Sequence, residues 1–149
     1  MKKYSKLLIF LFFINCGGYE PIFSSKDFNY SFDEIIFNEN DKISKRLSRK
    51  LLNFSTQNKE KIKLEIYSEE TEIILSKDKK GDPSIFEINI FTNIEIEFQN
   101  REKKLFKFTE KFSFNNQTNK FELNQYKNTV KENLTDKIFD KIILQLRLI

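Results

Sequence analysis

Residues 85–98 read Ile-Phe-Glu-Ile-Asn-Ile-Phe-Thr-Asn-Ile-Glu-Ile-Glu-Phe. Phe86, Ile88, Ile90, Ile94, Ile96 and Phe98 share one parity, and Glu87, Asn89, Asn93, Glu95 and Glu97 the other, with Phe91 breaking the polar side. A side-chain period of two is that of a strand with one dry and one wet face. Residues 100–103 turn the chain, and residues 105–114 return with Phe106, Phe108, Phe112 and Phe114 in phase. The pair is an antiparallel hairpin with a core face and a solvated face.

Upstream, residues 77–83 (KDKKGDP) form a turn, and residues 61–75 precede it as another strand. Ile62, Leu64 and Ile66 alternate first, then Ile73 and Leu75 on the opposite parity, which predicts a bulge at residues 67–70. Residues 28–37 alternate through Phe28, Tyr30 and Phe32 and close on Ile35-Ile36-Phe37, a first strand. Residues 38–41 supply capping side chains, and Ile43, Leu47, Leu51 and Phe54 follow at helical spacing, with Lys45, Arg46, Arg49 and Lys50 around them. After a polar loop, residues 122–148 carry Leu123, Tyr126, Val130, Leu134, Ile138, Ile142 and Leu146 as one stripe on a helix about 40 Å long. The expected order is β-α-β-β-β-α: an α+β fold with a four-stranded mixed sheet and both helices on one face. It occupies residues 28–149 as a single domain, and no internal repeat is visible.

The chain of 149 residues begins differently. Met1 to Lys6 is short and basic, Leu7 to Ile14 is an unbroken apolar run, and Asn15-Cys16-Gly17-Gly18 follows. This is the layout of a secretory signal. The apolar run is about 12 Å long as a helix, against roughly 30 Å of hydrocarbon, so it is too short to span a membrane. Cys16 is the only cysteine. Its place after the apolar run and before two glycines resembles a bacterial lipobox, with Phe13-Ile14-Asn15 standing where Leu-small-small is more usual. Residues 1–15 are read as a lipoprotein signal peptide and residues 16–27 as a lipidated tether. The resemblance implies a diacylglycerol on the Cys16 thiol and an acylated amino terminus, and several acyl chains anchor firmly where one does not. In enteric lipoproteins an Asp after the cysteine retains the protein in the inner membrane; Gly17 permits transfer to the outer membrane.

Composition removes several kinds of chemistry. One cysteine forbids an internal disulfide, and the absence of histidine removes the usual zinc ligands and the usual neutral-pH base. No Gly-rich phosphate loop, nucleophile elbow, HExxH or CxxC occurs. Asp78 and Asp82 lack calcium-loop spacing, and Glu95 and Glu97 alternate on a wet face. Three Asn-x-Ser/Thr sequons are expected by chance in so Asn-rich a chain. The 17 phenylalanines, like the Lys, Asn and Ile excess, follow AT-rich codon usage. No enzyme activity, cofactor or metal is expected. The net charge of +4 shrinks once Lys2, Lys3 and Lys6 leave with the signal: the remaining basic residues outnumber the 22 acidic ones by one. No global field then steers nucleic acid, and anion binding must come from local clusters. Two clusters qualify, Lys77, Lys79 and Lys80 in one turn and Arg101, Lys103 and Lys104 in another. Both are candidates to contact the phosphates of a glycolipid or a partner, although solvated turns commonly look the same.

Cys16-Gly17-Gly18-Tyr19-Glu20-Pro21-Ile22-Phe23 resembles the start of mature LptE proteins of alphaproteobacteria, which commonly read Cys-Gly-aromatic-x-Pro-Leu-Tyr. Here one Gly is added, and Ile22 and Phe23 replace Leu and Tyr. The order of elements is similar to LptE across nearly the whole mature chain, down to a closing helix that ends Ile142-Ile143-Leu144-Gln145-Leu146-Arg147-Leu148. The resemblance implies an outer-membrane lipoprotein on the periplasmic face that plugs and supports the LptD β-barrel and binds lipopolysaccharide. None of the family's lipopolysaccharide-contacting residues can be matched to a position in this chain. The alternative is a generic periplasmic lipoprotein auxiliary to a lipid or solute transporter, which would co-purify with an inner-membrane ATPase complex instead of a barrel. If Cys16 is the anchor, labelled fatty acid enters the wild-type protein and not Cys16→Ser; equal labelling of the two refutes it.

Overall fold

The computed structural model describes residues 28–55 and 59–149. Six elements follow in order: β1 (Tyr30–Phe37), α1 (Lys42–Phe54), β2 (Glu60–Lys77), β3 (Pro83–Glu97), β4 (Lys103–Asn115) and α2 (Lys120–Arg147). The strands form one sheet in the order β1-β2-β3-β4. β1 pairs with β2 in parallel, as the intervening helical crossover allows, and the other pairs are antiparallel. This is the expected α+β fold, with its mixed sheet and two helices.

Local chemistry sets the helix starts. Asp41 caps α1 by accepting from the Ile43 N–H at 2.9 Å. Asn119 caps α2 by accepting from Phe121 and Glu122, and its own amide donates to Glu122 Oε1 at 3.1 Å. That reciprocal pair starts α2 at Lys120, two residues before the apolar stripe indicates.

One face of the sheet is covered. Ile62, Leu64, Ile66, Ile88, Ile90, Ile94 and Ile96 are almost fully buried on it. From α1, Ile43, Leu47 and Leu51 join the same core, and from α2 so do Val130, Leu134, Ile138, Ile142 and Leu146. At one end of the core Phe28, Phe54 and Phe139 meet edge to face at 5.2 and 5.8 Å. A chain of hydroxyls runs through the apolar layer: Thr92 and Ser68 lie 3.0 Å apart, Ser68 and Ser44 are also 3.0 Å apart, and Ser44 donates to the Asp41 carboxylate. Each hydroxyl has one proton, so the chain is satisfied when every member donates toward Asp41. It ties α1 to β2 and β3 at one register.

Two details differ from the sequence reading. First, β2 has no bulge at residues 67–70: Ser68 pairs with Thr92, Glu70 with Ile90 and Glu72 with Ile88 in unbroken register, and the irregularities come at Ile74 to Lys77. The apolar parity changes because the covering layer changes. Glu70 and Glu72 stand on the helix-covered face and pair with Lys131 at 2.6 Å and Lys127 at 2.5 Å from α2. Lys127 also lies over the Phe86 ring, 4.3 Å from its centroid. Second, Phe106 and Phe108 are only half-buried and Phe112 is 42% exposed. β4 is an edge strand, and α2 leaves its outer flank open.

Ile138→Ala empties a fully buried position and should cost about 2–5 kcal/mol in denaturant unfolding. Phe108→Ala, at the half-covered edge, should cost clearly less. Equal losses, or an unmoved Ile138→Ala midpoint, contradict this packing.

Candidate functional site

The two predicted basic clusters sit in the turns at opposite ends of β3, so they do not meet. Both turns have one construction. In the first, Asp78 Oδ1 accepts from the N–H groups of Lys80 and Asp82, and Gly81 takes the left-handed φ of 91°. In the second, Asn100 Oδ1 accepts from Glu102 N–H, and Arg101 holds φ at 63° where the first turn has its glycine. Asp78 is thus engaged with backbone amides.

Their charges differ. Lys77, Lys79 and Lys80 are exposed and without ion pairs among the described residues. Lys103 is held by Glu95 at 2.6 Å and Glu97 at 3.6 Å, and Lys104 by Glu102 at 3.4 Å and the Phe98 ring. Arg101 borders a small hollow with Asp33, Lys61, Lys63 and Glu97. The lysines of the first turn are therefore unpaired, while Lys103 and Lys104 of the second are neutralised locally. Cys16 lies outside the described residues, as do the signal and the tether.

A third cationic surface was not singled out from sequence. α1 carries Lys42, Lys45, Arg46, Arg49 and Lys50 and no acidic residue. Its flank and that of α2 border a cleft of about 420 Å³ above Glu70 of β2. Arg46 reaches across to Asp136 through two hydrogen bonds, at 3.2 and 3.5 Å, and to Glu132 at 3.5 Å; Lys50 joins Asp136 at 2.8 Å. The signal available in the sequence was a helix with cations in its first turn, where the macrodipole disfavours them.

The opposite, uncovered face of the sheet is mainly polar. It presents Lys61, Lys63, Glu65, Glu87, Asn89, Asn93, Glu95, Lys107 and Lys111, interrupted by Ile36, Tyr67, Ile73, Ile85, Phe91 and Leu105. No helix among the described residues is long and apolar enough to cross a membrane.

No protein-family model matches the sequence, and no curated protein is similar to it. Solved structures share its fold. Rare lipoprotein B from Shewanella oneidensis superposes with a TM-score of 0.55 at 17% identity, over 76% of this chain and 92% of that one. A minor lipoprotein from Acinetobacter baumannii gives 0.60 at 12% identity, over 81% and 92%. Lipoprotein B from Nitrosomonas europaea gives 0.57 at 13% identity, over 80% and 83%. The chain therefore has the fold of these bacterial lipoproteins, across most of its own length and theirs.

The bridge between the helices yields a pH prediction. Burial alone would raise the Asp136 carboxyl, but hydrogen bonds from Lys50 and Arg46 outweigh it and hold it below the usual value. A carboxyl whose folded pKa is depressed contributes stability above its unfolded pKa, and that stability is lost as pH falls through the folded pKa. Asp136→Asn should then lower stability at pH 7 by on the order of 1 kcal/mol, the scale of a part-exposed pair. The gap to wild type should close below about pH 4. A gap that persists unchanged at pH 3 would mean the mutant loses packing and not charge.

Proposed function

We propose that this chain is an LptE-like lipoprotein of lipopolysaccharide assembly. It is held by lipid on Cys16 at the periplasmic face of the outer membrane, occupies and supports an LptD-like β-barrel, and binds lipopolysaccharide. It acts by contact and catalyses no reaction. The observation that carries this reading is the fold shared with rare lipoprotein B, whose family is LptE, at nearly complete coverage of that structure. The lone cysteine after the apolar run and the Pro21-Ile22-Phe23 tether add to it.

The surfaces suit such a role. A barrel lumen is polar, and a plug needs polar, well-solvated walls. The uncovered sheet face carries lysine, glutamate and asparagine around the exposed Ile36, Tyr67, Ile73 and Leu105, so most of it can exchange water for a polar wall. The unpaired lysines at 77, 79 and 80 project from the end of the sheet as a contact for the barrel or for glycolipid phosphates.

Tagged protein extracted in mild detergent should bring an outer-membrane barrel with it. Recovery of an inner-membrane ATPase complex in its place would support the transporter-auxiliary alternative. Reversing Lys77, Lys79 and Lys80 together to Glu should weaken barrel recovery or glycolipid binding more than reversing Arg101, Lys103 and Lys104, since the second set is already paired. If both triple variants fold and keep both activities at low and moderate salt, the turns are ordinary solvated loops.

A further inference from the structure

We propose that the cleft between α1 and α2 is a binding site for a phosphate-bearing group, with Lys42 and Arg49 as its principal contacts and Lys45, Arg46 and Lys131 completing the rim. The inference deepens the glycolipid-binding reading and rests on it for the biological source of the phosphate.

Charge is the first argument. Lys42, Lys45, Arg46, Arg49 and Lys131 border the cleft against only Glu70 and Glu132. Those carboxylates are already engaged, Glu70 with Lys131 at 2.6 Å and Glu132 with Arg46 at 3.5 Å. Lys45 leans on Glu39 at 3.7 Å, a pair exposed to solvent. Lys42 and Arg49 are exposed and form no ion pair among the described residues. The chain as a whole carries 26 basic against 22 acidic residues, so an excess of three at one cleft is a local arrangement.

Local stability is the second. Lys42 and Lys45 stand in the first turn of α1, where the helix macrodipole repels cations. Between Lys42 and Phe54 α1 has no acid; the N-cap carboxylate of Asp41 is engaged with the Ile43 N–H and Ser44, Lys45 has only the exposed Glu39, and only Arg46 and Lys50 receive counter-charges from α2. Residues that break a local rule without a gain in the fold are characteristic of functional positions.

Shape and group chemistry choose the ligand. The hollow, at about 420 Å³, matches a small head group better than the flat surface of a folded partner. Arg46 is fixed by its two bonds to Asp136, so its side chain is already ordered at the rim. Arg49 brings a planar fork of donors, which fits the oxygens of a phosphate, and Lys42 adds a mobile point charge. The basic turn at residues 77–80 lies at the far end of β2, on another part of the surface.

The test uses the full chain in neutral detergent and two probes, inorganic pyrophosphate and soluble dihexanoyl phosphatidic acid, with dihexanoyl phosphatidylcholine as control. Titration calorimetry should show saturable binding of at least one phosphate probe, weakening with salt. Lys42→Glu with Arg49→Glu should weaken it about tenfold or more, the scale of losing one or two charge-assisted hydrogen bonds. Arg49→Lys alone should lose less. Both substituted side chains are exposed, so circular dichroism should be unchanged. Binding of phosphatidic acid alone assigns the phosphate to a lipid head group, and binding of pyrophosphate as well assigns it to the phosphate itself. Absence of binding of either, or a double variant that binds like wild type, overturns the site. Barrel recovery is measured on the same preparations: phosphate binding without a barrel refutes the assembly reading and leaves the cleft, and a barrel without phosphate binding does the reverse.

Discussion

The buried side of β3 sets the terms for the rest of the chain. Ile88, Ile90, Ile94 and Ile96 are 0–1% exposed, and they become so only because β2 and β4 flank them and α2 lies across them. Burying one such side chain is worth about 1.5–3 kcal/mol, and the four together favour a single way of docking α2. Val130, Leu134, Ile138 and Ile142 recur at intervals of four, the spacing that puts a continuous ridge over the sheet. α1 docks beside α2 through buried Ile43, Leu47 and Leu51, and Arg46 and Lys50 close onto Asp136 across the seam.

The sheet is long and its cover is uneven. β1 accompanies β2 only from Glu60 to Ile66, and α1 packs on the same half. Beyond Ser68 the helix-facing side of β2 meets Lys127 and Lys131 of α2, and there Glu70 and Glu72 replace the isoleucines. The same strand is therefore apolar-core at one end and ion-paired at the other, with Ile73, Ile74 and Leu75 left exposed beyond. That end carries the turn with the unpaired lysines.

Charge distribution separates structure from candidate function. Lys127, Lys131, Arg46 and Lys50 are engaged with carboxylates on neighbouring elements and hold layers together. Lys103 and Lys104, prominent in the sequence, are engaged locally. Lys42, Arg49, Lys77, Lys79 and Lys80 form no ion pair among the described residues, as is also true of Lys59, Arg101, Lys107, Lys111, Lys120 and Lys137. A linear sequence presents all these residues as equivalent basic clusters, since whether a lysine is neutralised depends on carboxylates up to 90 residues away, as Asp136 is from Arg46.

Periodicity alone determined the element order, the α+β class, the covered faces of β3 and α2, and the extent of α1, because a period of two or of 3.6 is written into which side chains must leave water. The aromatic and aliphatic residues of those faces could be assigned to the core without coordinates. Three matters were settled only in three dimensions. The straight course of β2 through residues 67–70 depended on α2 offering lysines to Glu70 and Glu72. The partial exposure of Phe106, Phe108 and Phe112 depended on β4 being last in the sheet. The cleft above Glu70 depended on two helices, distant in sequence, lying side by side. Each is a property of which element neighbours which, and a one-dimensional pattern records only how a segment divides between oil and water.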